Sequence, residues 1–131
     1  LDPIQQLIGM PLSEVLESLL VGPVTQRPSV AGPAVEVYPL ALPEGEGASI
    51  PLGQWGELGF ANTEGNLVLT APLVARKMLE AKLAGALVEE PQVGLSMDGR
   101  SRVVEMTVRL HPGMRMGVPL GMLGELGVEA A

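Results

Sequence analysis

The 131-residue chain contains no cysteine. Disulfides, thiolate catalysis and cysteine-ligated zinc or iron–sulfur centres are thereby excluded. Aromatic residues are almost as scarce, at 2%: Tyr38, Trp55 and Phe60. Proteins that stack nucleic-acid bases need exposed aromatics on a basic surface. Here the formal net charge is −7, which disfavours nucleic acid and anionic membranes as partners. No apolar run reaches the roughly 18 residues that a bilayer-spanning helix requires. There is one histidine, His111, so a Ser–His–Asp arrangement would have to recruit Asp2 or Asp98. No GxSxG elbow is present to expose a nucleophilic serine. Gly53, Gly56 and Gly59 have neither the spacing of a dinucleotide fingerprint nor the Gly-Lys-Ser/Thr of a phosphate loop. These absences argue against an enzyme and against a bound cofactor.

What is present is aliphatic. Hydrophobic residues make up 47% of the chain, and mean hydropathy is +0.33. The length suits one domain with one core of Leu, Val, Ile, Ala and Met. Charge is unevenly spread. Residues 1–66 set eight acids against Arg27 alone, for −7, whereas residues 67–131 balance to zero. Two regions of unlike charge attract each other within a chain or between chains; the plainer reading is that the charges decorate loops.

Periodicity organises the N-terminal part. Asp2, Pro3 and Gln5 form a helix-start signature ahead of Ile4, Leu7 and Ile8, with Gly9 as the stop. In "PLSEVLESLLVGP", Leu12, Val15, Leu16, Leu19 and Leu20 fall at helical spacing, and Gly22-Pro23 end the run. The expected organisation is a helical arm over 1–22, a Pro-rich connector over 23–34 and one α+β domain over 35–131. Residues 35–38 read as a strand, which Pro39 breaks or confines to a sheet edge. "NTEGN" reads as a turn. The glycines around it suit bulges and bends in a curved sheet. Residues 72–89 read as a long covering helix whose apolar face includes Leu73, Val74, Met78, Leu79, Leu83 and Leu87.

The segment 92–110 reads as a hairpin. A turn at Asp98-Gly99 pairs Val93 with Val104. Cross-strand partners share a face, so Val93, Leu95 and Met97 join Val104, Met106, Val108 and Leu110 on one side. Glu105, Thr107 and Arg109 then face outward. Beyond it, Val118, Leu120, Met122, Leu123 and Leu126 suggest a short helix near 119–126, weakened by its glycines. The fold class expected is α+β, a mostly antiparallel sheet with one covering helix.

The sharpest candidate centre is "MTVRLHPGMRM", which gathers His111 with Met106, Met114 and Met116. Thioethers and imidazole suit Cu(I). Methionine also fills irregular gaps in aliphatic cores, and Met106 points into the sheet interior in the register above. We therefore expect no metal and assign Met114 and Met116, with Leu12, Val15, Leu16, Leu19 and Leu20, to an apolar interaction surface. Arg100, Arg102, Arg109 and Arg115 read as a solvated strand face or as a grip for an acidic partner. The function expected is a non-enzymatic interaction or assembly protein that forms a homo-oligomer or binds a protein partner. The alternative is a carrier for an apolar small molecule or lipid, enclosed between a bent sheet and an aliphatic helix. A cytoplasmic location is expected, with any signal or anchor lying before Leu1.

Overall fold

A computed structural model describes residues 3–28, 34–96, 99–111, 113–119 and 125–130. The chain is α+β, with two mostly antiparallel sheets and one main helix. It opens with helix α1 (Pro3–Ile8) and the single turn α2 (Leu12–Val15). Gly9, at φ 76°, separates them in a conformation that glycine adopts without a Cβ penalty. The Asp2 cap lies outside the described residues. Gln5 makes a different contact, its Oε1 accepting from the Leu12 N–H at 3.0 Å and so tying the two helices together. The regular helix expected through Leu20 stops at Val15. The periodic face survives as a chain of tighter turns, with Leu16 N–H donating to Leu12 and Leu19 N–H to Leu16, both at 2.9 Å.

A five-stranded sheet forms the middle of the chain, in the order β3 (Gly47–Pro51), β4 (Glu57–Thr63), β5 (Asn66–Pro72), β7 (Arg102–Arg109), β6 (Gln92–Leu95). All of its pairings are antiparallel. The expected turn joins β4 to β5 through Glu64 and Gly65, both at positive φ (54° and 85°). That is the twist a two-residue hairpin needs. Buried Asn62 secures it, accepting from the Gly65 N–H and donating to the Leu42 carbonyl. The β6–β7 register places Val93 opposite Val104, as the pattern implied; Met97 and Asp98 lie outside the described residues.

The second sheet has the order β1 (Thr25–Arg27), β2 (Val35–Leu40), β9 (Glu125–Ala130), β8 (Arg115–Pro119). The Pro-rich connector therefore contributes a strand. The C-terminal helix expected near 119–126 is replaced, over the described residues, by β8 and β9. Leu126, Val128 and Ala130 are buried between Glu125, Gly127 and Glu129, and that alternation has period 2, not 3.6. Strand β2 pairs with β9 in parallel, Val37 opposite Gly127. The break or edge position expected at Pro39 is not found: β2 runs on through Pro39 to Leu40, between β1 and β9. Thr25 ends the β1 pairing at Val37, and beyond it Val21 N–H donates to the Pro39 carbonyl. The missing proline donor thus sits on the side β1 has left.

The helix expected over 72–89 is shorter, a 3-10 turn (Leu73–Ala75) followed by α3 (Arg76–Leu83). Beyond Gly85 the chain becomes extended. Leu87 bridges to Val108, and the Val88 N–H donates to Thr107. Pairing with β7 there wins over continued helix.

Both sheets turn an apolar face into one continuous core. Tyr38, Leu40, Val118 and Val128 come from one sheet and Ile50, Phe60, Leu69 and Met106 from the other. Leu79 of α3 closes it together with Leu12, Leu16 and Leu19, which are 0%, 0% and 5% exposed. The segment read as an arm is thus packed into the same core as the sheets. Fully burying a leucine contributes roughly 1.5–3 kcal/mol, so these three are a large part of what holds the N-terminus in place. Among the described residues, no buried side-chain nitrogen or oxygen lacks a hydrogen-bond partner.

Candidate interaction surface

The residues assigned to an apolar interaction surface are mostly spent inside the protein. Leu12, Leu16 and Leu19 are buried, and Val15 and Leu20 are half-buried against the core. Leu20 also bridges to Leu40 of β2. Met116 is buried, because β8 turns it inward opposite Val128. Met114 packs against the same cluster, its N–H donating to the His111 carbonyl at 3.1 Å. His111 is exposed, whereas Met106 is buried in β7. The four residues therefore do not share one environment. Among the described residues, no group of three or more His, Cys, Asp or Glu is placed to hold a metal ion. No helix among them is long and apolar enough to cross a membrane.

The exposed apolar surface lies elsewhere, at the β6 end of the five-stranded sheet. Val93 is 43% exposed and Leu95 66%. The register sets Val93 opposite Val104 and Leu95 opposite Arg102 on the outermost strand, and Leu95 also borders a cleft with Val103 and Glu105. Val88, just upstream, is exposed as well, and so are Val74 and Met78. Val74 and Met78 are one helical turn apart and share a face. Val74 lines a small cleft with Arg100, Ser101 and Arg102 of the β6–β7 hairpin, which places the start of the helix beside the hairpin end.

Backbone polarity at this edge follows from one hydrogen bond. The Ser96 N–H donates to the Ser101 carbonyl at 2.8 Å, so Ser96 faces β7. Residues of an antiparallel strand alternate in the side to which they present N–H and C=O. Gly94 and Gln92 therefore also face β7, while Val93 and Leu95 direct their backbone groups away from the sheet. Gln92, Val93, Gly94 and Leu95 carry no charge, and charge on the strand is the usual protection of a free edge.

A charged site occupies the outer face of the other sheet. Glu125 accepts from Arg27 of β1 at 2.7 Å and from Lys82 of α3 at 2.8 Å. Arg115 pairs with Glu129 beside them. Arg27, Lys82, Arg115 and Glu129 border a cleft of about 380 Å³ floored by Gly117 and Gly127, which lie opposite each other in register. A Cβ on Gly117 would meet the Lys82 ammonium at 2.8 Å and the Glu125 carboxylate at 3.1 Å. The glycine is thus what lets the helix lysine reach across β8. Arg27 comes from the acidic half of the chain and Glu125 from the balanced half.

Three hydroxyls are held in hydrogen bonds within the protein. Ser49 donates to Glu57, Ser101 to the Gln54 carbonyl and Thr107 to Glu89. The sequence reading missed the exposed edge because a cross-strand pattern reports which face a residue lies on. It does not report whether anything covers that face. The signal available was the lack of charge in "QVGLS". No family model matches this chain, and neither the curated proteins nor the solved structures contain a match to it.

Proposed function

We propose that this chain is a non-enzymatic interaction or assembly protein that self-associates through exposed apolar surface. The observation that carries the reading is the β6 edge, where Val93 and Leu95 are left in solvent with uncharged backbone groups pointing outward. Natural sheets usually blunt such edges with lysine, proline or a covering element. An edge left uncharged and apolar is a template for another strand. Val74, Met78 and Val88 are further exposed apolar side chains. The apolar surface first assigned to the N-terminal leucines moves to this edge, since those leucines are needed by the core. The reading includes a cytoplasmic location, checked by fractionating cells that make the full-length protein.

Sedimentation velocity over a concentration series from micromolar to near-millimolar tests the proposal. The expected result is a weight-average mass that rises with concentration to a defined oligomer. A monodisperse monomer throughout the series refutes it. Native mass spectrometry of the same sample separates self-association from carriage of an apolar ligand, since a carrier retains ligand mass on the monomer.

A further inference from the structure

We propose that the cleft on the outer face of the β1–β2–β9–β8 sheet binds a small organic anion. The ligand has an oxyanion head, carboxylate or phosphate, and a short apolar body. The site goes beyond self-association and does not depend on it. Strand register builds the cleft. Thr25, Val37, Gly127 and Gly117 lie side by side in one row across the four strands. Residues two positions along a strand leave it on the same face, roughly 6.5 Å away. Arg27 and Glu125 therefore flank the row on one side, and Glu129 and Arg115 on the other. Lys82 reaches in from α3, its Nζ 2.8 Å from where a Cβ on Gly117 would sit. The row is thus a trough with charged walls over a floor of two glycines and a valine.

Glycine inside a strand often marks a place where another backbone or a ligand comes close. Gly127 answers to backbone, since its Cβ would meet the Glu36 carbonyl on β2. Over Gly117 the obstacles are the movable ends of Lys82 and Glu125. The room there admits an ammonium in place of a methyl group.

Three of the chain's eight basic residues, Arg27, Lys82 and Arg115, meet at this cleft. Two carboxylates, Glu125 and Glu129, face them. Three positive charges against two negative leave a surplus of one cation, on a chain whose net charge is −7. The carboxylates hold the cations without exhausting them. Arg27 donates to its partner through Nη2 and Arg115 through Nε, and a guanidinium carries five N–H donors in a fixed fork. The other N–H groups of such a fork meet an oxyanion two at a time. Side chains already held by an ion pair lose less rotamer freedom when a ligand arrives. The apolar floor between the walls suits the body of the ligand. The volume of about 380 Å³ falls in the range of small-molecule pockets. Net negative charge opposes docking on an anionic membrane, so the ligand is a free small molecule.

Titrating the isotope-labelled full chain with hexyl phosphate, hexanoate and hexylammonium, followed by two-dimensional NMR, tests the site. Both anions should shift the amides of Val37, Gly117 and Gly127 saturably, with a Kd of about 1 mM or tighter. The stronger of the two identifies the head. Hexylammonium has the same body and should not saturate. Arg27→Gln and Arg115→Gln alter exposed side chains, so each should keep the fold and raise Kd about tenfold. Gly117→Ala keeps every charge but displaces Lys82, and should raise Kd about threefold. Shifts that stay linear, that fall elsewhere on the chain or that hexylammonium reproduces overturn the proposal. So does an unchanged Kd in both arginine variants. Should a variant fail to fold, the three titrations of the unsubstituted chain decide alone.

Discussion

Replacing Leu16 with alanine should destabilise the protein by about 3 kcal/mol, although the residue lies in a segment whose sequence reads as a separate arm. Leu16 is fully buried, in one cluster with Leu12, Leu40 and Phe60. The substitution removes three carbon atoms. At about 0.8 kcal/mol for each buried methylene the transfer loss is roughly 2.4 kcal/mol. Incomplete collapse of the cavity adds to this, and buried Leu→Ala changes generally cost about 2–5 kcal/mol. Leu7 is the internal comparison, because it lies in α1 and is 40% exposed; Leu7→Ala should cost less than about 1 kcal/mol. Urea titration followed by circular dichroism measures both. The midpoint should fall sharply for Leu16→Ala with an unchanged slope, and Tm should drop by about 10 °C. Equal midpoints for the two variants, within about 0.5 kcal/mol, would show that the helices are not anchored in the core.

Two glycines in strands should behave differently when given a methyl group. A Cβ at Gly47 runs into the Phe60 carbonyl and lies 2.9 Å from the Ala61 Cα, all backbone of the paired strand. Gly47→Ala should therefore cost about 2 kcal/mol or more. At Gly117 the obstacles are the ends of Lys82 and Glu125, which swing into solvent, so Gly117→Ala should cost no more than about 1 kcal/mol. The same urea titration compares them, and equal losses would contradict the distinction between rigid and flexible neighbours. In the β4–β5 turn, Glu64 adopts a left-handed φ of 54°, which asparagine tolerates better. Glu64→Asn should raise stability by roughly 0.5–1 kcal/mol; a lower denaturation midpoint would count against strain at that residue.

Much of the local structure was legible because it follows from local rules. The β6–β7 register came from matching a turn to an alternating pattern, and the structure sets Val93 against Val104 as that match requires. The "NTEGN" turn was legible for the same reason. The helix over 72–89 was overextended because Leu87 and Val88 suit either element. Only the presence of a β7 edge to pair with decides between them. The C-terminal stretch was misread because its glycines, taken as weakening a helix, serve close approach. A Cβ at Gly127 would lie 2.9 Å from both the Glu36 carbonyl and a Val37 methyl on the neighbouring strand.

Composition and periodicity by themselves determined the absence of cysteine chemistry, the aliphatic character of the core and which faces of its elements are apolar. These properties depend on side-chain type and on spacings of two to four residues. Tertiary structure alone decided that the two ends of the chain meet in one sheet, Val37 beside Gly127, and that the N-terminal leucines are covered while Val93 and Leu95 are not. Burial is a property of what lies opposite, and partners distant in sequence leave no periodic trace. The exposed apolar edge was therefore visible only once the core had claimed its share.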